Sequence, residues 1–199
     1  MTIASTVAKI AFGLSTISAV GTTLLGRKTG TFGLLDMSMP ALAATLTTCT
    51  KPGRTRDAAT LALLASTAGD MSATLNFKLG WFGLAHIGYI AAFHRGTHRR
   101  WWPVLPAIVI AGVWVSAKAG GLRPAAALYA SLVAVMALMA SSYSPLAGIS
   151  AVTFALSDWL IGYGAWRAKE VPEWAAALTV GLYLAAQAGL TAAIAREEA

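Results

Sequence analysis

Four ionisable side chains stand where such groups are costly. Asp36, Asp70, His86 and Asp158 each fall inside a long apolar run of this 199-residue chain. An ionisable residue in such a run costs several kcal/mol to hold in lipid, which makes it a functional candidate by default. The chemistry these four could do is acid–base chemistry. Two carboxyl groups brought together away from water tend to share a proton, giving one acid and one base at neutral pH. An imidazole beside them could orient a carboxylate or a water. Other constellations fit less well. Asp70, His86 and Asp158 could offer three ligands to a zinc ion with an open position. His86, the histidine within a span, has no partner at HxxxH or HExxH spacing, however, and no metal or other cofactor is expected. Ser157 adjoins Asp158, but neighbouring helical positions do not face each other, so a Ser-His-Asp triad is not built this way. The single cysteine, Cys49, excludes an internal disulfide and a cysteine-based metal site.

Composition dictates the elements that must carry these residues. Hydrophobic residues make up 57% of the chain and charged residues 12%, with a mean hydropathy of +0.65. An ordinary soluble domain has about a quarter of its residues charged. The deficit excludes intrinsic disorder and argues against a soluble fold, whose surface must be polar. A net charge of +7 would suggest nucleic acid in a soluble protein. Here the 15 Lys and Arg lie almost entirely between apolar runs, where they anchor and orient helices. No nucleic-acid partner is expected. The expected fold is all-α, a single transmembrane helix bundle over residues 1–199 with short loops. At roughly 20 residues per crossing, about eight spans fit.

Charged and Pro/Gly breaks set the spans near 5–26, 31–49, 58–75, 79–94, 101–117, 124–141, 145–165 and 174–195. The first is longer than a signal-peptide core and is read as a retained helix. Pro103, Pro124 and Pro145 stand at span starts, where proline costs no hydrogen bond. Trp101, Trp102, Trp166 and Trp174 stand at span ends, as an aromatic belt requires. Eight antiparallel spans put both termini on one face, here face B. Face A carries Arg27, Lys28, Lys78, Lys118, Arg123, Arg167 and Lys169. Face B carries Lys51, Arg54, Arg56, Arg95, Arg99, Arg100 and Arg196, with Lys9 nearby. The tighter clustering on face B points to cytoplasmic termini, in the inner membrane of a bacterial cell. His94 and His98 sit in the basic loop and read as solvated.

The four interior groups share a depth. Asp70 lies eight residues before Lys78, His86 eight after it, Asp36 eight after Lys28 and Asp158 nine before Arg167. At about 1.5 Å per helical residue, all four sit about 12–13 Å from face A. A buried aspartate can also serve only to bond a neighbouring helix. Asp36 reads in that way, as structural or interfacial, because it lies near the start of its helix.

The surroundings of these residues carry five short elements. Ala65-Ser66-Thr67-Ala68-Gly69-Asp70 contains Ser-x-x-Gly-Asp. The fourth run reads Gly80-Trp81-Phe82-Gly83-Leu84-Ala85-His86-Ile87-Gly88-Tyr89-Ile90. Tyr129 and Met136 mark the sixth run, Phe154-Ala155-Leu156-Ser157-Asp158 the seventh and Tyr183-Leu184-Ala185-Ala186-Gln187 the eighth. In this order and spacing, over roughly residues 56–190, they resemble the YhhN family of membrane proteins, the lysoplasmalogenases. The chain departs from that family's pattern at Met39-Pro40, where Lys-Pro is usual, and at Met71-Ser72, where two leucines are usual. It also departs at Ser150, where glycine is common. The absent lysine bears on head-group handling.

The resemblance implies hydrolysis of the vinyl ether bond of lysoplasmalogen. The products would be a fatty aldehyde and a glycerophospho-ethanolamine or -choline. It also implies that Asp70 and Asp158 carry the reaction, one as acid and one as base. His86, Tyr89 and Ser157 are expected to support them. Asn76, Tyr129, Tyr183 and Gln187 are expected polar contacts, and Lys78, Arg123 and Arg167 are expected to hold the phosphate. The partners would be a single-chain lysophospholipid, entering laterally from the bilayer, and membrane lipids. The competing class is a small proton-coupled transporter or lipid-binding membrane protein, since proton relays also use intramembrane Asp and His. A transporter needs polar access from both faces, whereas here the acids gather toward one.

Overall fold

The computed structural model describes residues 3–25, 37–94, 123–167 and 171–198, the side chains of 3–4, 123 and 163–167 excepted. Asp36 and the span expected near 101–117 lie outside the described residues. Among the described residues every regular element is a helix. These are α1 (Ile3–Leu24), α2 (Ser38–Cys49), α3 (Arg54–Asp70), α4 (Leu75–Phe93), α5 (Arg123–Tyr143), α6 (Pro145–Arg167) and α7 (Glu173–Glu197). Packing runs α1 on α2, α2 on α3, α3 on α4, α4 on α5, α5 on α6 and α6 on α7. Helix α7 then closes the ring on α1 and also touches α2 and α3.

Among the described residues four helices are long and apolar enough to cross a membrane: α1 over Ser5–Leu24, α5 over Pro124–Tyr143, α6 over Pro145–Gly162 and α7 over Glu173–Glu197. This fits a membrane protein built as an all-helical bundle, but it does not reproduce the expected eight spans. Helix α2 has 12 residues and α3 has 17, both short of the roughly 20 that a crossing needs. Helix α4 opens with Asn76 and Lys78, which lower its apolar content.

Helix ends follow local chemistry. Only Ser144 separates α5 from α6. Its Oγ accepts the Ala147 N–H at 3.2 Å, and Pro145 takes the first helical position, where its missing N–H costs nothing. Helix α3 starts four residues before the expected run, because its first turn is polar. Asp57 there suits the positive end of a helix, and Arg56 pairs with it at 2.6 Å. The same helix stops at Asp70. The Met71 N–H returns to the Thr67 carbonyl at 3.0 Å and the Ser72 N–H to the Gly69 carbonyl at 3.1 Å, and residues 71–74 are not helical. The path from Asp70 to Lys78 is therefore not one continuous rise, and the depth counted along it for Asp70 does not hold.

At one end of the bundle the α2–α3 turn, the end of α4, the α5–α6 junction and the end of α7 converge. The Lys51 N–H donates to the Glu198 carbonyl at 3.5 Å, the Tyr143 hydroxyl to Glu198 Oε1 at 3.2 Å, and the Phe93 and Tyr143 rings lie 5.1 Å apart. This is the antiparallel arrangement that short loops impose. The core between the ends is close-packed through small residues. A Cβ on Gly189 would overlap Ser150 Oγ, so the serine at the position where glycine is common is accommodated by a glycine on α7. A Cβ on Gly88 would lie 2.9 Å from Ala62 Cβ and 3.1 Å from the Ala58 carbonyl oxygen, which sets the approach of α3 to α4.

Gly88→Ala is accordingly expected to destabilise the bundle by about 1–3 kcal/mol, through overpacking against a backbone that cannot move aside. Gly80→Ala on the same helix, with nothing within 4 Å, is expected to be neutral or slightly stabilising. Reversible unfolding in detergent measures both.

Candidate active site

Asp70, the last residue of α3, meets α7. The Tyr183 hydroxyl donates to Asp70 Oδ2 at 2.8 Å. One turn deeper the same two helices meet again, where Gln187 Nε2 donates to Ser66 Oγ at 3.0 Å. The spacing explains the double rung. Ser66 precedes Asp70 by four residues and Tyr183 precedes Gln187 by four, so each pair shares a helix face. Gln187 Oε1 in turn accepts the hydroxyl of Tyr89 from α4 at 2.5 Å. Ser66, Tyr89 and Gln187 are all buried, and their polar groups satisfy one another.

Asp158 lies in the middle of α6. Its Oδ2 accepts the hydroxyl of Tyr129 from α5 at 2.8 Å, and its side chain is 17% exposed. His86 of α4 is buried beside it, with Nε2 3.9 Å from Asp158 Oδ2 and Nδ1 2.5 Å from the Phe82 carbonyl oxygen. The two tyrosine–aspartate pairs are joined by rings packed edge to face. Tyr183 and Phe154 lie 5.6 Å apart, Phe154 and His86 5.0 Å, and His86 and Tyr129 5.1 Å. Phe82 closes the other side of Tyr183 at 5.8 Å. The result is two carboxyl groups, each held by a phenol, at the two ends of one aromatic chain.

The remaining expected site residues fall elsewhere. The Ser157 hydroxyl donates to the Thr179 carbonyl at 2.9 Å, tying α6 to α7 rather than reaching toward the aspartates. Asn76 is exposed and Lys78 half-buried in the first turn of α4. Arg123 and Arg167 are helix-terminal residues whose side chains lie outside the described residues. Tyr129 and Tyr183 are committed to the carboxyl groups, which makes them partners of the acids rather than free contacts for a ligand. The three-ligand metal arrangement is not assembled: among the described residues no group of three His, Cys, Asp or Glu could hold an ion. Ser66, Phe82 and Phe154 are the contributors not picked out individually from the sequence. Each stands four residues before a residue that was, Asp70, His86 and Asp158 respectively, and that spacing is the signal that identifies them.

The sequence model of the YhhN family matches residues 30–194. The chain belongs to the YhhN family. No curated protein and no solved structure matches it. The YhhN match spans every residue of the tyrosine–aspartate cluster, so the paired acids belong to the family-wide part of the chain rather than to an appended segment.

Gln187→Leu should strand the Tyr89 hydroxyl and Ser66 Oγ in the core, at about 1–3 kcal/mol for each group left unpaired. Gln187→Glu, which keeps an acceptor for Tyr89, should cost less. Unfolding midpoints of the two variants in one detergent make the comparison.

Proposed function

We propose that this YhhN protein is a lysoplasmalogenase-like hydrolase. It cleaves the vinyl ether bond of a lysophospholipid to release a fatty aldehyde and a glycerophospho-ethanolamine or -choline. The observation that carries the reading is the cluster of two phenol-held carboxyl groups joined by aromatic rings, inside an apolar bundle of this family.

A vinyl ether is electron-rich at its outer carbon. A carboxylic acid delivers a proton there, the C=C pair forms the new C–H bond, and positive charge spreads over the ether oxygen and its carbon. The second carboxylate faces that cation. Water adds to the charged carbon and gives up a proton to a carboxylate. The resulting hemiacetal collapses as its C–O bond to glycerol breaks. Its hydroxyl proton passes, in net terms, to the departing oxygen. Asp70 and Asp158 are the two carboxyl groups, and Tyr183 and Tyr129 fix their orientation. No step calls for a cofactor. Ring faces from Phe154 and Phe82 suit both a cation and an alkyl chain. Lys78, Arg123 and Arg167 belong to the end of the bundle where the phosphate would rest. The substrate's one chain would enter between helices from the bilayer. The eight-span arrangement, the bacterial inner membrane and the cytoplasmic termini are parts of the same proposal.

The distribution of polar groups weighs against the transporter reading. Beyond Gln187 toward the α7 C-terminus, Leu190 and Ile194 are fully buried, and Phe93 and Leu63 on the helices alongside are too. Among the described residues toward that end the buried polar side chains are hydroxyls such as Ser141, Ser150 and Thr191, none of them an ionisable group.

Purified protein is expected to release aldehyde from lysoplasmalogen in detergent. Asp70→Asn and Asp158→Asn should each lower turnover at least about 100-fold with the bundle still folded. Full activity in either variant would sink the two-carboxylate mechanism. Tyr129→Phe and Tyr183→Phe remove one hydrogen bond to a carboxyl group and should lower turnover by about 10-fold or more, since such bonds contribute about 1.5–3 kcal/mol. Aldehyde formation followed by coupled reduction measures all four.

A further inference from the structure

The two carboxyl groups differ in what faces them. His86 Nδ1 lies 2.5 Å from the Phe82 carbonyl oxygen, and a carbonyl only accepts, so Nδ1 carries the hydrogen. In the neutral ring Nε2 then presents a lone pair. That atom is buried without a hydrogen-bond partner, and it faces Asp158 Oδ2 at 3.9 Å. The rings of Tyr129 and Phe154 pack edge to face against the imidazole, and the Tyr129 hydroxyl is spent on Asp158. An ionised Asp158 would set a carboxylate oxygen, already accepting from Tyr129, against the unpartnered lone pair of Nε2. A buried acceptor left unpaired costs about 1–3 kcal/mol. A proton on the Asp158 carboxyl removes the conflict. The gap is too long for a formed bond, but the aspartate carboxyl turns in a broad torsional well. A small turn brings an Oδ2–H onto Nε2 while a lone pair of that same oxygen keeps the Tyr129 hydrogen bond.

Asp70 is placed for the opposite task. It is the last residue of α3 and lies partly exposed beside a non-helical turn, where water can solvate the ionised carboxyl. That end of the site suits the oxocarbenium ion.

We infer that Asp158 is the proton donor, that His86 is the positioning residue that holds the donor hydrogen through Nε2, and that Asp70 is the carboxylate that faces the cation. The assignment rests on the vinyl ether reading for its chemistry. The Asp158 O–H proton goes to the outer vinyl carbon, the C=C pair makes the C–H bond, and Asp158 is left as the carboxylate that takes the proton of the incoming water. His86 never gives up a proton in the cycle. It accepts the acid's hydrogen bond before the transfer and again after it.

Infrared difference spectra of the full chain in lipid nanodiscs, with isotope-labelled aspartate, test the assignment without reference to turnover. The expected result at neutral pH is a carbonyl stretch of a protonated carboxylic acid that vanishes in Asp158→Asn and persists in Asp70→Asn. In His86→Leu the stretch should move to the frequency of a more weakly bonded acid. Nitrogen NMR of labelled histidine should show His86 as the neutral ring protonated at Nδ1. A band that vanishes with Asp70→Asn instead, no band at all, or an imidazolium at His86 overturns the assignment. Asp158→Asn keeps an N–H donor for Nε2 and so preserves the fold that His86→Leu could lose. In turnover assays His86→Leu should lower kcat by about 10-fold or more with KM little changed, the mark of an interaction that matters in the transition state. An unchanged kcat in folded His86→Leu also overturns it. Should the wild-type protein show the Asp158 band and release no aldehyde, the proton assignment holds and the vinyl ether reading is the part that falls.

Discussion

A carboxyl group among apolar helices must be met by a hydrogen-bond donor, and for Asp70 and Asp158 a tyrosine is such a donor. Tyr183 meets Asp70 and Tyr129 meets Asp158, both at 2.8 Å. A buried polar group without such a partner is expensive. The requirement therefore fixes which helix faces must meet, α3 against α7 and α5 against α6. It also explains why α7 is central. That helix supplies Tyr183 and, one turn on, the amide of Gln187, which satisfies Ser66 and Tyr89 together. Removing α7 would strand polar groups on α3, α4 and α6 at once.

The donors have a geometric consequence. A phenol reaches its acceptor only if the ring lies between helices, so the site is built of rings before any substrate arrives. Phe154 and His86 fill the space between the two phenols, and edge-to-face packing suits aromatic quadrupoles at these separations. Close approach elsewhere compensates for the room the rings take. Gly88 lets α4 meet α3, and Gly189 lets α7 meet Ser150 on α6. Large side chains gather at the site and small ones at the helix crossings around it.

Much of the site was legible because charge is so scarce. With 8 Asp and Glu in the chain, each one inside an apolar run could be judged by itself, and Asp70, Asp158 and His86 stood out. Tyr129, Tyr183 and Gln187 came from the family resemblance. The pairing did not, because it joins residues 113 apart for Tyr183–Asp70 and depends on how whole helices rotate. The fold was legible in class and less so in count. Hydropathy marked the apolar part of each run but missed the polar first turn of α3. It also missed the break after Asp70, where Met71-Ser72-Ala73-Thr74 carries no proline or glycine to announce it. Ser157 misled for a related reason. Its place beside Asp158 suggested support of the acid, while helical geometry turns its hydroxyl to the Thr179 carbonyl.

The break after Asp70 also bears on how water can reach so apolar a setting. A helix running on past Asp70 would keep that carboxyl on a cylinder wall, with the backbone above it closed to water. Ending the helix there leaves Asp70 partly exposed beside a short turn, while His86 and Gln187, deeper in the bundle, remain fully buried. Backbone that is not helical is tolerated near lipid only where protein or water covers it. A turn in that position is thus a natural point for water to reach the site. Under the proposed vinyl ether hydrolysis the two carboxyl groups then have different surroundings. Protonation of carbon would fall to Asp158, which is 17% exposed and lies against the fully buried His86. Addition of water would draw on the turn beside Asp70, and the rings of Phe154 and Tyr183 stand between the two carboxyl groups.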